Sequence, residues 1–347
     1  MNIGAAVQSL AQHAVQALHP QPHDARPPAP PAAPPARSGS ADTLERMAGD
    51  GTQQQVLARS GGPAAAAGPA APARLSGDDL ARKYAPVLIL PPGQYNLPAD
   101  PQAFIEHARL RQDVNWGRDR TLGDNTNRKT GDNFGAADVA AAGPGQYLDL
   151  DNAQRGQLGR ADAPIFYEVD NPQNPTKVTY WFFYAYNDGP TKQNHEGDFE
   201  RITIEFDPVT QQPTQANYSA HNNSHTQPAA YADVQKDPAT GRPLVYVAGG
   251  SHASYVVPGE HATEAPFFKD HTPTDTNRDG RINGSDGAVR IDTAGQLRDV
   301  TQQAWYPSAG EGLQWGEIGQ FEATSGPRGP SRQKSHFDLP PPAAGDK

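Results

Sequence analysis

Asn194-His195-Glu196-Gly197-Asp198-Phe199-Glu200 runs directly into Arg201-Ile202-Thr203-Ile204-Glu205-Phe206, and this stretch decides the fold. Ile202, Ile204 and Phe206 lie on one face of a period-two strand, and counting back by twos along that face reaches Glu200 and Asp198. The pattern therefore aims two carboxylates at a core. A buried carboxylate is too costly to keep charged alone, so it needs a cation, a basic partner or a raised pKa. His195 precedes Asp198 by three residues, and H-x-x-D-x-E then reads as a hard-metal or acid-base cluster. The competing reading is a charge network pairing Asp198 or Glu200 with Arg201 or a lysine elsewhere. Alternation weakens it, because Arg201 points to the opposite face.

Working outward, Val178 to Tyr186 is apolar on both faces, as in a strand at the middle of a sandwich, and Leu244 to Ala248 makes a further clear strand. Gly249-Gly250-Ser251-His252 follows it, with glycines that allow close backbone approach before a histidine is presented. Tyr218 to His225 places His221 and His225 at a strand end. Ser76 with Asp78 and Asp79 opens a short helix through Lys83, and Tyr84 to Leu90 reads as a strand. Asp100-Pro101 starts a second helix with a stripe of Phe104, Ile105, Ala108 and Leu110. The polar segment from Asp113 to Gly145 reads as a long loop. The expected fold is mainly β: an antiparallel β-sandwich with a few short peripheral helices and long loops. It occupies residues 75–330, after a disordered Pro/Ala-rich leader (1–74) and before a flexible tail (331–347). Trp305, Trp315 and the Gly326 to Pro330 stretch close the fold.

Composition narrows the function. The 347 residues are 35% hydrophobic and contain no cysteine, which excludes disulfides, thiolate zinc sites and a cysteine nucleophile. With 29 basic against 39 acidic residues and no dense basic patch, nucleic acid is not an expected partner. No apolar run reaches the length of a membrane span, and the first 20 residues lack the basic and hydrophobic regions of a signal peptide. That stretch carries no acid, Lys or Arg and leads into a Pro-rich tract, so it resembles the leaders of bacterial type III secreted effectors. The expected location is outside the producing cell, in a host cell if a type III system exports the chain, and otherwise the cytoplasm. No G-x-S-x-G elbow, P-loop, H-E-x-x-H or dinucleotide fingerprint is present.

A second constellation is Asp275-Thr276-Asn277-Arg278-Asp279-Gly280-Arg281-Ile282-Asn283-Gly284-Ser285-Asp286. It matches a calcium loop, with oxygens from Asp275, Asn277 and Asp279 at positions 1, 3 and 5, glycine at 6, Arg281 at 7 and Asp286 at 12. No helical pattern flanks it, so it resembles the dockerin-type loop more than a sensor EF-hand. Its short Asp286 suggests a structural Ca²⁺ site. The competing reading is an Asn/Asp/Gly-rich surface turn without an ion.

Tyr84-Ala85-Pro86-Val87-Leu88, Leu97-Pro98, Tyr180-Trp181-Phe182-Phe183-Tyr184, His195 to Glu200, Val245-Tyr246-Val247-Ala248, Gly250 to Tyr255 and Gly326-Pro327-Arg328-Gly329-Pro330 together resemble the ordered motifs of the vacuolar protein sorting-associated protein 62 family. Phe199 stands where that family usually has Trp. A more distant similarity is to necrosis-and-ethylene-inducing-like proteins, β-sandwiches that attack plant membranes through glycolipid heads. Their G-H-R-H-D-W-E heptad implies His195, Asp198 and Glu200 as ligands of a divalent cation, Ca²⁺ or Mg²⁺, with Asp188 as an upstream acid. Glu196-Gly197 in place of Arg-His, and the missing disulfides and export signal, put the cytolytic activity in doubt.

Three functions follow as expectations. The first is a cation-dependent effector or toxin-like module that recognises a host glycan, lipid head group or protein, with contact at a membrane surface. The second is a metal-assisted hydrolase in which His252 or Glu196 moves a proton. The third is a non-catalytic trafficking scaffold.

Overall fold

The computed structural model describes residues 74–114, 118–127, 129, 131–189, 193–221, 227–263, 268–306, 313–319 and 325–333. The expected leader lies outside these residues, as do His225 and the tail beyond Gln333.

The fold is mainly β, with short helices. Its centre is a six-stranded sheet in the order β15-β5-β6-β7-β8-β9. The strands are β5 (Ile165–Val169), β6 (Lys177–Asn187), β7 (His195–Phe206), β8 (Pro213–Tyr218), β9 (Gln227–Ala230) and β15 (Leu297–Asp299). A four-stranded sheet in the order β11-β10-β1-β14 packs on one face. It comprises β1 (Val87–Leu90), β10 (Leu244–Val247), β11 (Ser254–Tyr255) and β14 (Val289–Asp292). Pairing is antiparallel except for β1 with β10 and β5 with β15, which run parallel. The antiparallel sandwich expected from the sequence thus carries two parallel joints.

Alternation in the long β6–β7 hairpin feeds two cores. Tyr180, Phe182, Tyr184, Ile202, Ile204 and Phe206 meet Leu88, Leu90, Val245, Val247 and Ile291 of the four-stranded sheet. Trp181, Phe183 and Phe199 point the other way, onto Phe104, Ile105, Leu148, Leu150, Trp305 and Trp315. This second face is covered by helix α2 (Pro101–Glu106) and a three-stranded sheet of β2 (Ala108–Gln112), β3 (Arg120–Asp124) and β4 (Gln146–Leu150). Covering both faces is why β6 reads as continuously apolar. Phe199 fills the position of the family's Trp among aromatic rings, with centroids 4.6 Å from Phe183 and 5.3 Å from Trp315. A two-stranded ribbon, β12 (Glu260–Ala262) with β13 (Lys269–His271), lies outside these sheets.

Local signals placed the short helices. Helix α1 (Gly77–Lys83) starts at Ser76, whose hydroxyl accepts the Asp79 amide at 3.1 Å, and Asp100 caps α2 by accepting the Gln102 amide at 2.9 Å. Two expectations fail nearby. Ala108 and Leu110 belong to β2 and not to a helical stripe, because alternate residues pair with β4 and bury the same side chains at period two. The segment expected as one long loop holds β3 and helix α3 (Ala136–Ala141), whose Val139 is anchored in the second core. At the far end, Gln333 takes a hydrogen bond from the Arg201 guanidinium and donates to the Phe199 carbonyl at 3.3 Å, so packed structure extends past Ser331.

Candidate functional site: a buried carboxylate–histidine cluster

Strand β7 begins with the whole acidic motif, its residues set across from β6: Glu196 opposite Tyr186, Asp198 opposite Tyr184 and Glu200 opposite Phe182. The expected pleat is interrupted once. Gly197 adopts φ +62°, and a Cβ there would lie 1.9 Å from the Trp315 carbonyl oxygen, so only glycine fits. Glu196 and Asp198 consequently have different surroundings. Glu196 accepts the Leu150 amide at 2.7 Å and the Arg155 guanidinium at 3.1 and 2.6 Å. Arg155 in turn sits over the Tyr186 ring. Burial pushes the Glu196 carboxyl up to about 7, with the guanidinium and the amide acting against the shift.

Asp198 and Glu200 point into the space between the two large sheets, each only 6% exposed. The Asp198 carboxylate meets His252 Nδ1 at 3.0 Å, and His252 Nε2 meets the Tyr95 carbonyl at 3.0 Å. His252 is fully buried and stacks on Tyr184, with centroids 4.0 Å apart and planes 4° from parallel. Glu200 makes no hydrogen bond with any described residue. Burial raises its pKa well above the usual carboxylate range, and the negative charges of Asp198 and Asp270 add to the rise. Arg201 opposes that shift only from the other side of the strand, where its guanidinium lies over Trp181. The Arg201 charge pair considered from the sequence is thus not formed.

A third carboxylate, Asp270 of β13, joins the cluster. It accepts the Ser251 hydroxyl at 2.8 Å and the Tyr255 hydroxyl at 2.7 Å, and pairs with His221 Nε2 at 2.9 Å. His221 and His252 both have left-handed backbones, with φ +52° and +56°. Such residues are uncommon outside glycine and concentrate at sites where surrounding structure imposes them. Two buried hydroxyls lack a partner among the described residues: Tyr184 Oη, whose pKa is raised by burial and then by the charges of Asp198 and Glu200, and Ser254 Oγ. Ser254 pairs across β11–β10 with Val247, which faces the core between the sheets, so its hydroxyl faces that interior too.

Not all expected residues gather here. His195 is occupied at the hairpin end, with Nδ1 on the Gly197 carbonyl at 2.8 Å and Nε2 on the Asn187 amide at 2.9 Å. Asp188 bonds through its amide to the Gly250 carbonyl at 3.1 Å and through its carboxylate to Asn194 at 3.4 Å. Neither bonds to Asp198 or Glu200. Glu196 and His252, paired in the hydrolase expectation, are held by different partners and share none. Among the described residues no three His, Asp or Glu side chains come together closely enough to hold a metal ion. His252 and His221 do lie at one cluster, through Asp198 and Asp270. No sequence pattern marks Asp270, a single acid in the short polar strand Lys269–His271, and Tyr184 reads there as core.

The 275–286 loop forms a turn tied by its own acids. Asp275 accepts the Asp279 and Gly280 amides at 3.1 and 2.7 Å, and Asn277 Oδ1 accepts the Asp279 amide at 2.9 Å. Asp279 accepts the Arg281 amide at 2.9 Å. Asp286 accepts the Thr276 and Asn283 amides at 2.8 and 3.1 Å. Its end, Gly284–Asp286, is a single 3-10 turn ahead of β14, and Gly280 takes φ +82° at the sharp turn.

Fold and site together define a mainly β protein with a buried, acidic, histidine-flanked cluster between two sheets. A putative vacuolar protein sorting-associated protein of Saccharomyces cerevisiae, TDA6, is 29% identical over 126 residues, covering 30% of this chain and 26% of its own. Vacuolar protein sorting-associated protein 62 of the same yeast is 27% identical over 129 residues, 33% of this chain and 27% of its own. The chain spans about a quarter of the length of these curated relatives. No family model matches it. Among solved structures, Necrosis and Ethylene inducing Protein 2 from the causal agent of cocoa's Witches' Broom disease overlaps 53% of this chain and 71% of its own, at 17% identity and TM-score 0.31. A structure described as a toxin fold for microbial attack and plant defense overlaps 65% and 75%, at 13% identity and TM-score 0.32. NLPPya in complex with glucosamine overlaps 43% and 58%, at 14% identity and TM-score 0.26. Both resemblances read from the motifs are therefore met again, the second weakly, and the site geometry stands on this chain alone.

Proposed function

We propose that the protein is a cation-dependent, toxin-like binding module that recognises a polar host ligand, a glycan or a glycolipid head, with a divalent cation held by Asp198 and Glu200. The observation that carries this is the pair of buried carboxylates with no Lys or Arg ion partner among the described residues, beside the Tyr184 and Ser254 hydroxyls, which lack a hydrogen-bond partner among those residues. Two carboxylates and neutral oxygens, completed by water, suit a hard cation such as Mg²⁺ or Ca²⁺. The cation would supply the positive charge that the cluster lacks and an anchor for ligand oxygens. His195 and Asp188, ligands by resemblance, would join only after releasing Asn187 and Asn194. A structural Ca²⁺ in the 275–286 loop belongs to the same proposal, held by Asp275, Asn277, Asp279, the Arg281 position and Asp286. Export to a host is proposed from the leader's composition.

Binding is favoured over turnover. Both ring nitrogens of His252 are committed, to Asp198 and to the Tyr95 carbonyl, and Glu196 is held by Arg155. Neither is placed to pass a proton to a ligand at the cluster. The test is elemental analysis of the purified chain and of two double variants, Asp198→Asn with Glu200→Gln and Asp275→Ala with Asp279→Ala. Each pair should lose one equivalent of cation. An unchanged metal content in the first pair would sink the cation-dependent reading.

A further inference from the structure

The face of the central sheet that carries Trp181, Phe183 and Phe199 changes character along β6 and β7. Its aromatic half lies under α2 and the three-stranded sheet. The other half is polar: Thr179, Thr203 and Asn217 stand level on β6, β7 and β8, with Arg201 and Gln215 beside them. Alternation puts all five on this face, because Tyr180, Ile202, Ile204, Ala216 and Tyr218 take the opposite one. Side chains on an uncovered sheet face keep part of their surface in water, as those of Lys177 and Glu205 do one row further on, at 27% each. Thr179, Thr203 and Asn217 are only 0, 1 and 2% exposed. Closure of that kind requires chain lying across the row. The two threonine hydroxyls bond each other at 2.8 Å. Asn217 has no such outlet: neither its Oδ1 nor its Nδ2 has a hydrogen-bond partner among the described residues, a costly state for a buried amide.

We propose that residues 334–339 of this chain cross the row as an extended strap, with the Asn217 carboxamide paired to the strap's backbone. The chain is delivered to that spot. Gln333 accepts a hydrogen bond from the Arg201 guanidinium on Oε1 and donates through Nε2 to the Phe199 carbonyl at 3.3 Å and the Arg328 carbonyl at 3.2 Å. From Arg201 to Asn217 is about 7 Å along β7 and about 5 Å across to β8, a span that about three extended residues cover. The leader arrives elsewhere. Arg74 meets the Pro208 carbonyl at 2.6 Å and Asn174 at 2.5 Å, at the turns that end β7 and precede β6, and runs into α1, whose Leu80 and Ala81 pack between the two large sheets. A carboxamide offers one face with both a donor and an acceptor, which matches the C=O and N–H of a crossing backbone. Within Lys334-Ser335-His336-Phe337-Asp338-Leu339, Phe337 and Leu339 bring apolar surface to bury, and the one acid, Asp338, suits the Arg201 charge. Pro340, Pro341 and Pro342 then withdraw backbone donors and end the docking segment.

The test uses the full-length chain, whose lack of cysteine lets one introduced thiol report on its own position. Ser335→Cys and His336→Cys are neighbours that an extended segment turns to opposite sides, and Ala343→Cys lies beyond the prolines. Labelling by a fluorescent maleimide is followed in buffer and in urea. One of the first two thiols should react at least about tenfold more slowly than Ala343→Cys in buffer, and all three should react equally once urea unfolds the chain. Adding Asn217→Ala should speed the slow thiol about tenfold, since the strap loses two hydrogen bonds. Equal rates at 335, 336 and 343 in buffer would overturn the strap, and so would a slow thiol that Asn217→Ala leaves slow. Protection that disappears on dilution as a dimer dissociates in sizing chromatography would overturn docking within one chain and assign the row to the tail of a second copy.

Discussion

Replacing Glu196 with Gln isolates the electrostatics of one buried side chain. Glu196 is 2% exposed, and Gln can still accept the Leu150 amide through its carbonyl oxygen. Burial raises the carboxyl from 4.5 to about 7 in the folded protein. The folded state then holds a proton that the unfolded state has already lost over that window. The stabilising contribution is full below pH 4.5 and disappears as pH rises through 7. At about 1.4 kcal/mol per pKa unit the whole window is worth about 3 kcal/mol, of which about 2.5 kcal/mol falls between pH 5 and 8. Urea unfolding followed by tryptophan fluorescence at pH 5, 6, 7 and 8 reads this directly. Other titrating groups are common to both proteins and cancel in the difference. The stability of Glu196→Gln relative to the wild type should climb by that amount from pH 5 to 8. A flat difference, or one that falls with pH, would refute the reasoning and mean that Arg155 and the Leu150 amide hold the carboxylate ionised at no net cost.

Two further outcomes are expected. Gly197→Ala should destabilise the fold by at least about 2 kcal/mol in thermal or urea melts, because the residue needs a left-handed backbone and its new methyl would overlap the Trp315 carbonyl. Near-normal stability would show that the Trp315 strap yields freely. Glu200→Gln should melt no lower than the wild type in chelator, since the amide replaces a buried carboxyl that burial already disfavours ionising, yet lose the stabilisation by added Ca²⁺ that amounts to about 2.7 kcal/mol at a hundredfold excess over Kd. Equal Ca²⁺-induced shifts in both proteins would exclude Glu200 as a ligand.

The sequence by itself determined the local and periodic features. Continuous apolar runs wrote out β6 and β10, alternation with period two wrote out β7, and the Ser76 and Asp100 caps marked the starts of α1 and α2. The same alternation put Asp198 and Glu200 on the face between the two large sheets and Arg201 on the other, equally buried face, because a strand offers only two faces. Ala108 and Leu110 were misread since a short apolar run satisfies either period, and pairing with β4 made them strand. Tertiary structure alone decided which groups share the cluster. Asp270, His221 and His252 reach it from a ribbon strand and two turns far apart in the chain, and no spacing rule encodes that convergence. The positive φ of Gly197 sent Glu196 to Arg155 and left His195 on the Gly197 carbonyl, splitting a motif that reads as one cluster. A side chain's partners depend on backbone direction at one glycine and on elements brought in from elsewhere, and these exist only once the layers have packed.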